Sequence, residues 1–268
     1  MDKITIVTFV NERAIEFAEY FKEISLLRCS NPKRIEWLFV QSGDLSRDPK
    51  GFKKIGVVGV GHYNALNYAR DYKYDTDILI FCDADIVLLK KSWDTITELI
   101  MQENDLFGIA YPKISPSKYQ NYPNTNFVVF NKNSMQYLHE IDFRDGKFIN
   151  GEKVNRPIIQ NNKESKIFNL PVGHKVSLDT GWMIPAVMKK HINRVKVLSP
   201  VIMTDSESQL PWSDLSERKK YRKSNYRMIE WHLDGELFGS HRYACRKVNF
   251  DSSSVVVWRN RIEKYINV

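Results

Sequence analysis

Residues 77–85 read Asp77-Ile78-Leu79-Ile80-Phe81-Cys82-Asp83-Ala84-Asp85 and join a short apolar run to a pair of acidic residues. An apolar run of this length is typical of a strand that is buried on both faces of a parallel sheet. Residues two positions apart in extended backbone point to the same side. We therefore expect Asp83 and Asp85 to face together from the carboxyl end of a strand, where open α/β sheets bind ligands.

Strand and helix patterns alternate along the chain on either side of this run. Other strands are predicted at residues 4–10, 34–40, 55–60, 105–111, 127–130 and 195–198. Helices are predicted at residues 14–24, 61–70 and 93–101, and a turn that leads into a helix at residues 178–191. Residues 142–166 are polar and poorly periodic and are predicted to form a long loop or flap. The alternation predicts an α/β fold with a mostly parallel sheet that is flanked by helices.

The composition limits the classes of protein that this chain can represent. It has 268 residues, of which 43% are hydrophobic and 27% charged, and this excludes a disordered or collagen-like chain. Its three cysteines have no paired spacing, which argues against a disulfide scaffold and a structural zinc site. The net charge of +8 favours polyanionic partners. We see no signal peptide and no transmembrane segment, and expect a soluble protein in the cytoplasm of a bacterium or a virus-infected cell.

The two acidic residues after the apolar strand have a chemical and a structural interpretation. Paired carboxylates suit a hard divalent cation, Mn²⁺ or Mg²⁺, which in turn holds a diphosphate. The alternative is that Asp83 and Asp85 only cap a turn. The position directly after a buried strand favours the metal site.

Several motifs, taken in order, resemble the GT-A family of nucleotide-sugar-dependent glycosyltransferases over residues 3–200. They are Thr8-Phe9-Val10-Asn11-Glu12, Gly43-Asp44, the run from Asn64 to Arg70, Asp83-Ala84-Asp85, and Leu178-Asp179-Thr180-Gly181-Trp182. The resemblance implies a GT-A-like core in residues 1–200 and a C-terminal extension in residues 201–268 that completes the site within a single domain. It also implies donor-binding roles for Thr8, Val10, Asn11, Asp44, Asn64, Asn67 and Asp83. The alternative for each polar member is a satisfied turn or cap group.

Asp179 is the candidate general base, and Trp182 the candidate acceptor-binding residue. Sugar transfer with inversion needs a carboxylate that takes the proton of the acceptor hydroxyl. The indole of Trp182 offers a surface on which a sugar ring can stack. The alternative is that Asp179 is the N-cap of the helix that follows.

The C-terminal part adds candidate ligands that the same resemblance implies. His232 and His241 are the candidates for a further metal ligand, and Arg242 and Arg246 for phosphate contacts. The alternative is that one histidine packs in the interior and the other is exposed. Residues 218–227 form a basic run, which is a solvated helix face, a loop over a diphosphate or a DNA contact.

The sequence therefore predicts a metal-dependent hexosyl- or pentosyltransferase that uses a nucleotide-diphosphate sugar, a UDP-sugar by preference. Its acceptor is a hydroxyl of a glycan or glycoconjugate, or of hydroxymethylated phage-type DNA. The alternatives are a GT-A-like nucleotidyltransferase and a basic nucleic-acid-binding module without catalysis. The first strand lacks the glycine-rich signature that a nucleotidyltransferase would usually carry after it.

Overall fold

A computed structural model of the chain describes residues 2–111, 121–149, 152–203, 228–242 and 248–267. The strands in these ranges are β1 (Ile4–Val10), β2 (Ile35–Ser42), β3 (Lys53–Val58), β4 (Ile78–Asp83), β5 (Ile86–Leu88), β6 (Leu106–Ile109), β7 (Phe127–Asn131), β8 (Lys147–Ile149), β9 (Glu152–Val154), β10 (Val195–Leu198), β11 (Pro200–Met203), β12 (Met228–Leu233) and β13 (Glu236–Arg242). The helices are α1 (Ile15–Leu27), α2 (His62–Asp71), α3 (Trp93–Glu103), α4 (Lys132–Met135), α5 (Asn162–Phe168), α6 (Met183–His191) and α7 (Ser253–Ile266).

The larger sheet has seven strands in the order β10-β6-β7-β4-β1-β2-β3. Six of them run in the same direction, and β7 is antiparallel to both of its neighbours. All seven residues of β1 are buried, as the continuous apolar pattern of a strand covered on both faces requires. The predicted α/β fold with a mostly parallel sheet is confirmed.

A second, antiparallel sheet pairs the C-terminal strands with the short strand that follows Asp85. Its order is β11-β12-β13-β5. One face packs on the larger sheet, where the Phe238 ring meets Phe107 at 5.6 Å between centroids. The other face packs on α1 and α7 through residues that include Trp258. This pairing brings residues 228–242 next to the turn that carries Asp83 and Asp85.

The prediction of one long loop or flap at residues 142–166 is wrong. The described part of that segment contains the β8–β9 hairpin and most of α5. Strands of three residues and a helix of seven are too short to show a hydrophobic period, so their polar sequence hid them. The predicted basic run at 218–227, and Arg246, lie outside the described residues. No helix in the described ranges has the length and apolar character needed to cross a membrane.

Candidate functional site

The acidic motif lies where the chain leaves the larger sheet for the smaller one. Asp83 is the last residue of β4, and Ala84 and Asp85 form a turn before β5 begins. The Asp83 side chain is 19% exposed and that of Asp85 is 4% exposed. We expected extended backbone to align the two carboxylates. The turn between the sheets brings them together instead.

His241 of β13 lies against this carboxylate pair. Its Nε2 is 3.0 Å from Oδ1 of Asp85 and 3.8 Å from Oδ2 of Asp83. Strand pairing sets this position, because His241 pairs with Ile86 and the Arg242 amide donates to the Asp85 carbonyl at 2.9 Å. One ligand atom from each of Asp83, Asp85 and His241 lies within 4.8 Å of the others. Two carboxylates and an imidazole at this spacing fit a divalent cation such as Mn²⁺.

The pKa shifts of Asp83 and His241 show which sign of charge the site favours. Burial raises the pKa of Asp83, and the neighbouring Asp85 carboxylate raises it further, against the opposing effects of His62 and His241. Burial alone would lower the pKa of His241, but the Asp85 and Asp83 carboxylates outweigh it and raise that pKa. The two buried carboxylates thus favour positive charge between or beside them.

Two further residues contact Asp83, and sequence reasoning assigned neither of them a role. Nε2 of His62, the first residue of α2, lies 3.3 Å from Oδ1 of Asp83, and its ring meets the edge of Phe9 at 5.2 Å. Asn126 donates from Nδ2 to Oδ2 of Asp83. Its backbone carbonyl accepts a hydrogen bond of 3.0 Å from the Asp83 amide. The sequence signals that could have identified them were the position of His62 at the start of a helix and that of Asn126 just before a strand.

The structure does not bring His232 to the carboxylate pair. His232 lies in β12 opposite Leu237, just after a register shift between Trp231 and His232. Among the described residues, the group that fits a metal ion contains His241 and not His232.

Arg242, the predicted donor contact, faces away from the carboxylate pair. Its side chain is almost fully buried, and its Nη2 donates to Ser254 Oγ near the start of α7 at 2.6 Å. Neighbouring residues of a strand point to opposite faces. Because His241 faces Asp85, the Arg242 side chain extends toward α7.

The residues predicted from the ends of β1 and β2 lie near the same edge of the larger sheet. Thr8 and Val10 are fully buried, and Val10 packs in one cluster with Ala84. Thr8 Oγ1 and Asn11 Oδ1 are buried with no hydrogen-bond partner in the described part of the chain. Such unsatisfied buried oxygens are rare and are compatible with ligand contact. Asp44 is exposed in the turn after β2.

The two asparagines of α2 make mainly structural contacts. Asn67 donates to Asp142 Oδ1 at 3.2 Å and accepts from the Phe143 amide at 3.0 Å and from Arg70 at 3.1 Å. These bonds tie α2 to the segment that precedes the β8–β9 hairpin. Asn64 donates to the Val60 carbonyl at 3.4 Å.

Asp179 begins a turn that packs against Thr125 through Gly181. Its Oδ1 accepts from the Thr180 amide at 3.0 Å, and the N-cap of α6 is Trp182 rather than Asp179. Gly181 has φ +82°, and a Cβ there would lie 2.4 Å from Thr125 Cγ2. The residue after Thr125 is Asn126, which binds Asp83, so the turn packs against the chain neighbour of an Asp83 partner.

Trp182 lines a cavity of about 340 Å³. Its indole nitrogen donates to the Arg144 carbonyl at 3.1 Å. The rest of the wall comes from Tyr63 of α2, residues 142 and 144–147, Lys153 of β9 and Met183.

The fold and site together define a mixed α/β protein with a candidate divalent-cation site at the junction of its two sheets. No protein-family model and no curated protein matches the chain.

The chain is similar to many solved structures, and three of them are described below. A mannosyltransferase, PcManGT from Pyrobaculum calidifontis, in complex with GDP-Man and Mn²⁺, is 11% identical with a TM-score of 0.40, and the match covers 73% of this chain and 56% of that one. The galactosyltransferase LgtC, with donor and acceptor sugar analogues, is 12% identical with a TM-score of 0.47, over 98% and 95%. TarS of S. aureus with UDP-GlcNAc is 12% identical with a TM-score of 0.43, over 73% and 56%. The chain thus spans little more than half of PcManGT and of that TarS fragment.

Proposed function

We propose that this chain is a metal-dependent glycosyltransferase of the GT-A type, which moves a sugar from a nucleotide-diphosphate sugar to an acceptor hydroxyl. The observation that carries the proposal is the group of Asp83, Asp85 and His241, with ligand atoms within 4.8 Å of one another. It lies at the carboxyl end of β4, the part of an open α/β sheet where ligands bind.

Asp83, Asp85 and His241 would hold Mn²⁺ or Mg²⁺, and the mixed oxygen and nitrogen set suits Mn²⁺. When bound, the cation neutralises the charge that develops on the departing nucleotide diphosphate. Thr8 Oγ1 and Asn11 Oδ1 are buried and have no partner in the described residues, which supports their proposed hydrogen bonds to the nucleotide of a UDP-sugar.

Asp179 is the proposed base for the acceptor. In an inverting transfer, the acceptor oxygen forms a bond to the sugar C1 while the bond from C1 to the phosphate oxygen breaks. The hydroxyl proton passes to the Asp179 carboxylate, and the electron pair leaves with the diphosphate. The packing of Gly181 on Thr125 supports this role because Thr125 precedes Asn126, which binds Asp83.

The test measures donor binding and turnover on the full chain. UDP or GDP with Mn²⁺ should raise the melting temperature, and neither the nucleotide alone nor Mn²⁺ alone should match that rise. A screen of hexose and pentose donors should then detect release of nucleoside diphosphate that stops in excess chelator and returns with Mn²⁺. Full activity after exhaustive chelation would contradict the metal site. The absence of any nucleotide-dependent shift and of donor cleavage would refute the proposal.

A further inference from the structure

We propose that the cavity beside Trp182 binds a neutral saccharide, so that the acceptor is a glycan and not a polyanion such as DNA. The role of the bound saccharide as acceptor rests on the proposed glycosyltransferase function, but saccharide binding can be tested independently of that function. Position, wall chemistry and charge balance each support it.

The position of the cavity connects it to both halves of the proposed site. Tyr63 lines the cavity and directly follows His62, which lies 3.3 Å from the Asp83 carboxylate. Trp182 lines it and ends the turn that begins with Asp179. Its volume of about 340 Å³ falls within the usual range for a small-molecule site. The cavity wall thus contains the chain neighbour of a residue that contacts Asp83 and the last residue of the turn that holds the proposed base.

The aromatic part of the wall suits a sugar ring. Tyr63 and Trp182 are both half-buried, so each keeps apolar surface that a ligand can cover. The Trp182 indole is held by its hydrogen bond to the Arg144 carbonyl and by a tilted contact with Phe168, at 6.4 Å between ring centroids. A fixed aromatic surface binds the C–H face of a sugar with little loss of side-chain entropy.

The charged part of the wall is balanced. Arg144 pairs with Asp142, Lys153 with Asp145 at 2.8 Å, and Lys147 with Glu164 just behind the wall at 3.6 Å. Three cations therefore face three carboxylates, and their local charges cancel. A site for a phosphate backbone gains its affinity from cations that phosphates can neutralise. Paired ions instead offer fixed hydrogen-bond donors and acceptors, which match the hydroxyl groups of an uncharged sugar.

The experiment measures binding by saturation-transfer NMR and calorimetry on the full chain, with and without UDP and Mn²⁺. The neutral probes are lactose, maltose, cellobiose and N,N′-diacetylchitobiose, and the polyanionic probe is a short single-stranded oligonucleotide. We expect at least one disaccharide to bind with a Kd below about 10 mM, and its affinity to change little with salt.

Variants then locate the bound disaccharide. Tyr63→Ala and Trp182→Ala should each weaken its binding by about tenfold or more. Tyr137→Ala is the matched control: it removes another half-buried tyrosine, one that stacks on His191 at 4.0 Å away from the cavity, and should leave the affinity unchanged. If Trp182→Ala does not fold, Tyr63→Ala alone decides, because its ring lies at the cavity wall.

The inference is overturned if no disaccharide binds in either condition, or if binding is the same in Tyr63→Ala and wild type. Oligonucleotide binding that is lost in Tyr63→Ala and weakens steeply with salt would favour a DNA acceptor instead. The nucleotide-induced melting shift separates this result from the proposed function. Disaccharide binding without that shift leaves a saccharide site but no transferase, whereas the shift without disaccharide binding leaves a transferase with a different acceptor.

Discussion

Two groups of charged residues in this protein hold aspartate in opposite ways. In the core ion cluster, Arg34, Asp94 and Glu98 join the segment before β2 to α3, and Arg34 Nε donates to Asp94 at 3.2 Å. Asp94 also accepts from the amide and hydroxyl of Ser30, at 2.8 and 2.7 Å. In the carboxylate pair, Asp83 and Asp85 lie together, with the imidazoles of His62 and His241 and the side-chain amide of Asn126 against them.

The two groups shift the pKa of aspartate in opposite directions. Burial would raise the pKa of Asp94, but hydrogen bonds from Ser30 and Asn31 outweigh it and lower that pKa to about 2. Burial does raise the pKa of Asp83, and Asp85 adds to the rise. Donors directed at the charge make a buried aspartate stabilising, whereas a second carboxylate makes it costly until a cation binds. The core ion cluster therefore supports the fold, whereas the carboxylate pair is the candidate cation site.

The largest expected effect comes from removing one charge of the carboxylate pair. Asp83→Asn or Asp85→Asn should reduce donor turnover by about a thousandfold or more, because the cation loses a charged ligand. The melting temperature should stay the same or rise, since the repulsion between like charges is gone. Donor-cleavage rates measure the loss of turnover, and thermal melts measure the change in melting temperature.

Asp77→Asn is the matched control for that experiment. Asp77 precedes β4 at its opposite end, where it binds the Lys3 amide at 2.8 Å and pairs with Lys132. We expect near wild-type turnover from this variant. Comparable losses in Asp77→Asn and Asp83→Asn would show a general effect on β4 and contradict the assignment of a metal site.

Breaking the core ion cluster should lower the stability of the fold and leave nucleotide binding intact. Asp94→Ala leaves Arg34 buried with Glu98 as its remaining described carboxylate partner, and should lower the free energy of unfolding by about 3 kcal/mol. Urea denaturation measures this loss. The folded protein should keep the melting shift with nucleoside diphosphate and Mn²⁺. A loss of that shift with little change in stability would remove the distinction between the two groups.

Acid should weaken the core ion cluster in a defined pH window. The folded pKa of Asp94 is about 2, below its ordinary value of 3.8, so the folded state binds this proton less readily than the unfolded state. Its contribution, on the order of 2 kcal/mol, is fully present above about pH 5 and is lost as the pH falls toward 2. The stability difference between wild type and Asp94→Asn should shrink between pH 5 and pH 3. A constant difference would contradict the cause given for the pKa.

The weakest effect on turnover is expected at His62, which contacts one member of the carboxylate pair. His62 contacts Asp83 but lies outside the group that fits the metal ion, so we expect it to position the carboxylate. His62→Gln should weaken Mn²⁺-dependent turnover by about tenfold and raise the Mn²⁺ concentration needed for half activity. His139→Gln, at an exposed histidine, is the control. An unchanged Mn²⁺ dependence in His62→Gln would exclude the positioning role.

The sequence by itself determined the elements that have strong local patterns. The buried strand before Asp83 was predictable because a continuous apolar run fits a strand that is covered on both faces. The end of that strand located the carboxylate pair, since parallel sheets bind ligands there. The hairpin within residues 142–166 was not predictable, because its strands are too short to show a period.

Only the tertiary structure decided which side chains join the carboxylate pair. His232 and His241 are equivalent as sequence features, but the pairing of β13 with β5 puts His241 opposite Ile86, next to Asp85. The alternation of the same strand turns Arg242 toward α7, where it bonds Ser254. His62 reaches Asp83 from another element altogether. Local sequence sets where a strand or helix forms, whereas strand register and packing between distant segments set which way each side chain faces, and a shift of one residue reverses it.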